Sequence, residues 1–405
     1  MALSTSTIDN LVEIMVERQE NINTFVITMI AKRIREIGHL LPSDAYKLEQ
    51  LLKTGSDVKL INQELSKLTA LQVGTIQKLI KDVAKGAYLD AKPFYDYRLM
   101  PFIPFEKNEN LQRVVKAIAR QTSDSYVNIS KAQAFMIRDL KNPKILIPTP
   151  IAQTYQTVVD EAIQASQAGL TDYSTAMRRT VQQLVDSGIK TVTYQAESGR
   201  FHSQEMAAAV RRNVLDGIRA INQGVQDVTG EQFGADGKEI TVHSYPAPDH
   251  CNCQGHQFTN AEWDKIQSGQ DFIDVQGRKY IGFPRKIGTL NCRHFAYSII
   301  IGHASPNYTD EQLKAILDAN EKGYTMSNGK HLTMYECTQK QREFERNLRK
   351  AKTGYIAAEY TSDTDLMNKY QARINKLNKN YISFSRACGL KPKMAKTTVA
   401  GYHHK

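Results

Sequence analysis

The sequence predicts an α+β protein, with mainly helical N- and C-terminal parts around a central helical core that carries a small β-containing unit. Three observations lead there. Apolar residues recur every three or four positions near both ends of the chain, as a helix face requires. Between residues 239 and 302 the pattern shifts toward alternation, the period of a half-buried strand. Over 405 residues, a 41% hydrophobic and a 23% charged share supply apolar material for two or three cored domains.

A helical N-terminal domain is expected over residues 1–91. Ser6 stands three before Asp9 in a capping-box pattern and precedes the apolar series Ile8, Leu11, Met15, Ile22, Phe25 and Met29, which Gly38 and Pro42 close. Shorter helices should follow, one carrying Leu60, Leu65 and Leu68 and another Ile76, Leu79, Ile80 and Val83, punctuated by Gly55, Gly74 and Gly86. Residues 92–148 read as a connector. Pro93, Pro101 and Pro104 interleave there with Phe94, Tyr95, Tyr97, Phe102 and Phe105, which excludes regular helix and suits rings that pin a connector in place. A helical stretch around 111–140 leads to a second proline cluster, Pro143, Pro148 and Pro150.

A central domain is expected over 149–306. Thr149-Pro150 starts its first helix, whose stripe is Tyr155, Val158, Val159, Ala162 and Ile163, ended by Gly169. Asp172 caps a second helix with Met177, Val181 and Leu184, closed by Gly188. A third, from about 203 to 224, turns Met206, Val210, Val214, Ile218 and Ile221 inward. The β unit, 239–302, should hold strands at 240–243 and 295–301 and a hairpin of 272–275 with 279–283 around Gln276-Gly277. Residues 307–405 form a basic helical region. Thr333 and Glu336 make a capping box that opens a charged helix to about Lys352. After Asp363 a last helix sets Leu366, Tyr370, Ile374, Leu377, Tyr381, Phe384 and Cys388 along a coiled-coil-like seam, ended by Gly389 and Pro392. That seam calls for a partner helix, either the preceding one or another subunit.

The formal charge is +11, and residues 331–405 carry 15 Lys and Arg against 6 Asp and Glu, a net of +9. Such a surface attracts polyanions, with nucleic acid first, or an acidic protein partner, unless it is simply solvated. Arg342, Arg346 and Arg349 share one face of the first helix, and Lys369, Arg373, Lys376 and Lys379 flank the seam of the second. No aromatics lie on these faces, so any nucleic-acid contact should be to phosphates and insensitive to sequence. Residues 1–10 carry no signal-peptide pattern and no apolar run reaches the roughly 18 residues of a membrane span, so the protein is expected to be made and used, or assembled, in the cytoplasm, with no membrane partner.

Five cysteines, odd in number and unevenly spread, fit reduced thiols or a metal site better than a secreted disulfide framework. Four of ten histidines and three of five cysteines fall between residues 243 and 294. Zinc takes four ligands from imidazole and thiolate, and His243, His250, Cys292 and His294 are the candidates, since only a pairing of distant segments closes a tetrahedron. The same residues could instead hydrogen-bond the backbone of a turn-rich segment. Asp249, His250 and Cys292 also make a possible Cys–His–Asp set, and a metal here could activate water, which would suit a hydrolase or toxin-like enzyme. Arg200, Arg211 and Arg212 could grip phosphate or carboxylate, or pair with acidic neighbours. The chain has no P-loop, dinucleotide fingerprint, H-E-x-x-H or G-x-S-x-G motif.

Four segments together resemble the phage minor capsid protein family of phages of Gram-positive hosts. They are Tyr194-Gln195-Ala196-Glu197-Ser198-Gly199-Arg200 with the following Val210-Arg211-Arg212; His243 through Pro246, with Asp249-His250 and Gln254-Gly255; Gly288-Thr289-Leu290-Asn291-Cys292-Arg293-His294; and the basic run from Gln341 to Arg349. Where relatives tend to have Ala-Arg-Pro, this chain has Pro246-Ala247-Pro248. A more distant similarity is to the F-type head morphogenesis proteins of Mu-like phages. The resemblance implies a structural, non-enzymatic protein of the virion, present in few copies near the portal. Its implied partners are the portal protein, the major capsid or scaffolding protein, and packaged DNA.

Overall fold

The computed structural model describes residues 5–38, 44–138, 145–167, 173–196, 200–281, 285–289, 292 and 294–403. The fold is α+β, and 66% of the described residues are helical. Helices α1 (Thr5–Gly38), α2 (Asp44–Asp90) and α3 (Lys92–Tyr97) come first; then α4 (Glu109–Lys131) runs into strand β1 (Gln133–Arg138). Next come β2 (Leu146–Pro150), α5 (Ile151–Gln167), α6 (Tyr173–Ser187), β3 (Lys190–Gln195), β4 (Phe201–Glu205) and α7 (Met206–Phe233). The β-rich stretch contains β5 (Gly237–Ile240), β6 (Gln257–Thr259), α8 (Asn260–Ser268), β7 (Phe272–Ile273), β8 (Lys279–Tyr280) and β9 (Ala296–Ile299). The chain ends with α9 (Asp310–Lys322), β10 (Tyr324–Thr325), β11 (His331–Leu332), α10 (Met334–Tyr360) and α11 (Thr364–Ala387).

Two compact units divide the chain. The first gathers residues 1–12, 73–125 and 211–339, the second 13–72, 126–210 and 340–405.

In the first unit β5 is the middle strand of an antiparallel sheet ordered β6-β5-β9, in which Gly237 faces both Thr259 and Ile299. Under it lies an apolar core of Ile240, Phe258, Trp263, Ile266, Phe272, Tyr280, Ile287, Cys292 and Ala296. The expected hairpin forms as β7 paired with β8, with Gly277 at φ +81. The expected strand at 240–243 is displaced: β5 ends at Ile240, Thr241 still pairs with Phe295, and 242–243 run on into the site described below. The proline-aromatic stretch is partly helical after all, because Pro93 sits in the first turn of α3, where its missing N–H costs nothing. Its rings pack inward: Tyr95 and Phe94 join Ala91, Phe233 and Ile300, and Phe102 stacks on Tyr88 at 4.5 Å.

The second unit is built on a four-stranded antiparallel sheet, β2-β1-β3-β4, that the sequence reading missed entirely. Residues 133–138 form β1 rather than the end of a helix, pairing Ala134 with Pro150 and Arg138 with Leu146. Pro148 and Pro150 lie in the edge strand β2, the one place in a sheet where lost donors are tolerated. Helix α7 accordingly starts at Met206 rather than about 203, since 201–205 are β4. The α5 stripe Tyr155, Val158, Val159 and Ala162 is buried, as are Met177, Val181 and Leu184 of α6. The expected signals at Pro143, Gly169 and Asp172 lie outside the described residues.

Two other helical expectations change. Helix α2 runs unbroken for 47 residues through Gly55, Gly74 and Gly86. Burial of Ile61, Leu68, Ile76, Leu79, Ile80 and Val83 along one side outweighs the roughly 1 kcal/mol that each glycine costs a helix. Helix α1 starts at Thr5, so Ser6 lies within it, and its buried face is rotated to Val12, Met15, Val16, Val26, Ile27, Ile30, Ile34 and Ile37. Ile22 and Phe25 instead line a groove of about 530 Å³ with Leu60, Leu68 and Leu71.

The seam of α11 is buried at Leu366, Tyr370, Ile374, Tyr381 and Cys388. Its partner is the preceding helix. Phe344 packs on Tyr381 and Phe384, the Tyr381 hydroxyl donates to Glu345 at 3.0 Å, and Gln341 donates to Ser385 Oγ at 3.0 Å.

Candidate functional site

The chain's chemistry-bearing residues meet at one end of the β6-β5-β9 sheet. Beyond Ile240, Thr241 accepts a hydrogen bond from Phe295 N at 3.1 Å and donates its own N–H to Phe295 O at 3.0 Å. This continues the β5–β9 pairing and fixes His294 beside the loop that follows β5. The loop returns through Gly255, whose N–H donates to Ile240 O at 2.8 Å. Gly255 has φ +74 and approaches Val242 and Leu313 so closely that a Cβ would collide with both. On the other side, a turn with Cys292 N donating to Thr289 O at 2.9 Å and Gly288 at φ +85 presents Cys292.

Three of the four metal-ligand candidates converge. Ligand atoms of His250, Cys292 and His294 lie within 4.8 Å of one another, and all three residues are buried. His250 Nδ1 is 3.2 Å from Cys292 Sγ, and His294 Nδ1 is 3.5 Å from the same sulphur. His243 stands beside this trio rather than in it: its ring is 4.6 Å from that of His294, and it lines a cavity of about 790 Å³ that the trio does not. Cys251 and Cys253 point elsewhere, donating to the carbonyls of Pro248 and His250 at 3.2 and 3.3 Å.

The electrostatics follow from burial and these contacts. Burial opposes charge on His250, but its contacts with Cys292 and the Arg285 carbonyl prevail and hold its pKa above the ordinary imidazole value. Burial also opposes a Cys292 thiolate, yet the His250 hydrogen bond and backbone contacts at Gly288 and His294 bring its pKa below that of a free thiol. His294 is pushed down to about 2 by burial and by the neighbouring His243 and His250, so it is a neutral imidazole. Burial drives the Cys253 thiol well above its usual range.

The possible Cys–His–Asp set does not assemble as a relay. Asp249 is committed to Arg285 through two hydrogen bonds of 2.7 and 2.8 Å, and His250 Nε2 donates to Arg285 O at 2.7 Å. His250 and Cys292 are 0% and 3% exposed, which leaves the pair no face toward a substrate. Two contributors lie outside the set of candidate ligands, although Gln254 belongs to the family-like Gln254-Gly255 pair. Gln254 Oε1 accepts from His243 N at 2.9 Å and lies 3.1 Å from His294 Nε2. Arg285 links the two loops through Asp249 and its own carbonyl; a lone arginine between Pro284 and Lys286 carries no sequence signal of that role.

The basic candidates divide. Lys369, Arg373, Lys376 and Lys379 are exposed on α11, and Arg346 is exposed on α10. Arg342 and Arg349 are half-buried, and Arg349 donates to Lys396 O at 2.5 Å and lies 3.3 Å from Glu20. Arg200 is exposed, whereas Arg211 and Arg212 are half-buried on α7. Residues 197–199, Asn291 and Arg293 lie outside the described residues. Among the described residues, no helix is long and apolar enough to cross a membrane.

Neither the curated proteins nor the solved structures include a match to this chain. The profile of phage minor capsid protein 2, by contrast, matches residues 3–384, nearly the whole length and every segment on which the resemblance rested. The chain therefore belongs to the phage minor capsid protein 2 family, the structural proteins of the phage head.

Proposed function

We propose that this protein is a low-copy structural component of a tailed-phage head, built in near the portal, and that it acts by contact rather than by catalysis. The observation that carries the reading is the family match over residues 3–384, which takes in both compact units. The buried His250–Cys292 pair supports it, because reactive atoms without access serve structure better than turnover. Membership in a capsid family implies contacts with other head components. We assign these to the portal protein and the major capsid or scaffolding protein, and give the exposed row Lys369, Arg373, Lys376 and Lys379 to packaged DNA.

The test is quantitative mass spectrometry of purified procapsids and virions together with antibody labelling. The chain should be present at a small fraction of the major capsid protein, with label at one vertex. A protein found only free in lysates, or spread evenly over the shell at high copy, would sink the reading.

A further inference from the structure

We infer that His250 Nδ1, Cys292 Sγ and His294 Nδ1 are ligands of a divalent transition metal, zinc by its chemistry, which clamps the loop after β5 to the segment before β9.

The argument runs through proton bookkeeping on named atoms. The backbone N–H of His243 can only donate, so the Gln254 side chain must turn its oxygen toward it, at 2.9 Å. That same oxygen lies 3.1 Å from His294 Nε2, so Nε2 must carry the ring proton and His294 Nδ1 presents a lone pair. The Arg285 carbonyl can only accept, so His250 Nε2, 2.7 Å away, also carries a proton. Both neutral rings then aim an Nδ1 lone pair at one sulphur, at 3.2 and 3.5 Å. A thiol has one proton for these two acceptors. Passing it to His250 instead leaves the His294 lone pair against a thiolate. One divalent cation between the three atoms satisfies all of them at once.

The geometry agrees. Zinc–nitrogen bonds of about 2.0–2.1 Å and zinc–sulphur bonds of about 2.3 Å give tetrahedral nitrogen–sulphur edges of roughly 3.5–3.6 Å, which the His294 separation of 3.5 Å meets and the His250 separation of 3.2 Å undershoots by a few tenths of an ångström. Metal-binding histidines normally donate their other ring N–H to a carbonyl or similar acceptor. Both of these do, to Arg285 O and Gln254 Oε1. Two imidazoles and a thiolate favour zinc over hard oxygen-seeking cations. The ion pair of Asp249 with Arg285 ties the same two segments together from outside the trio.

The experiment uses the full-length protein, purified without chelator and loaded with zinc or cobalt(II) alone. Expected are about one zinc per chain and, with cobalt, a near-ultraviolet thiolate-to-cobalt charge-transfer band. Cys292→Ser should abolish that band. Gln254→Ala, which frees His294 from its acceptor, should weaken binding by about 10- to 100-fold in competition with a chelating dye. Circular dichroism verifies folding; should Cys292→Ser fail to fold, the wild-type band and Gln254→Ala still decide the matter. A folded wild-type chain that shows no sulphur band, a band that survives Cys292→Ser, or an affinity indifferent to Gln254→Ala overturns the assignment. Metal held by the histidines at 403 and 404 would give no sulphur band and so cannot imitate it.

Discussion

Asp57 serves two side chains at once. Arg33 reaches it from α1 through Nε at 3.0 Å and Nη2 at 2.6 Å, and the Tyr155 hydroxyl of α5 donates to the same carboxylate oxygen. The Arg33 and Asp57 side chains are only 10% and 16% exposed, so this pair cannot be treated as a surface salt bridge. Asp57→Ala should cost about 3 kcal/mol, because a guanidinium and a hydroxyl lose their acceptor where water replaces it poorly. Urea unfolding followed by circular dichroism should show a lower midpoint, with Asp57→Asn intermediate; an unmoved midpoint would mean that Glu36, 2.5 Å from Arg33, suffices alone. Residue type by itself nominated His250, Cys292 and His294, because few side chains bind metal and these were crowded into a short window. It could not nominate Gln254, whose part depends on which backbone N–H it faces.

At the scale of elements, glycine shows how far context decides. Gly354 sits in α10 where a Cβ would overlap the ring of Tyr370 on α11, while Gly55 and Gly74 in α2 have nothing within 4 Å. The same Gly→Ala change should therefore have opposite signs. Gly354→Ala should lose about 1–3 kcal/mol to overpacking, whereas Gly74→Ala should gain up to about 1 kcal/mol of helix propensity. Thermal denaturation of the two variants checks both, and a destabilised Gly74→Ala would refute the claim that α2 is open there. This also explains what was legible. The α11 seam could be read because its pattern was strong and its partner adjacent in sequence. The sheet of the second unit could not. Its β1, Gln-Ala-Phe-Met-Ile-Arg, follows α4 without a breaker, and β2 carries two prolines that read as punctuation. Strand β3, with Val192 and Tyr194 among threonines, held a β signal that the helices on either side obscured.

At the scale of the whole molecule, the positive charge has an exposed outlet of regular spacing on the face of α11 that bears Lys369, Arg373, Lys376 and Lys379. Full-length protein should bind duplex DNA of any sequence at low salt, with a log–log salt slope of about −0.9 per phosphate contact. Changing these four residues to Gln should flatten the slope by about 3 or more if each meets a phosphate. Fluorescence anisotropy across a salt series measures this; an unchanged slope would return the basic face to the solvent or to a protein partner. The edge strand β2 bears on assembly in another way. Pro148 and Pro150 are two residues apart, so both withhold a donor from one and the same rim of the sheet. A growing shell concentrates its subunits, and a bare strand rim under crowding recruits neighbours into open-ended fibrils. On its β2 side this sheet is a poor template for that, so contact with other head components is left to other surfaces.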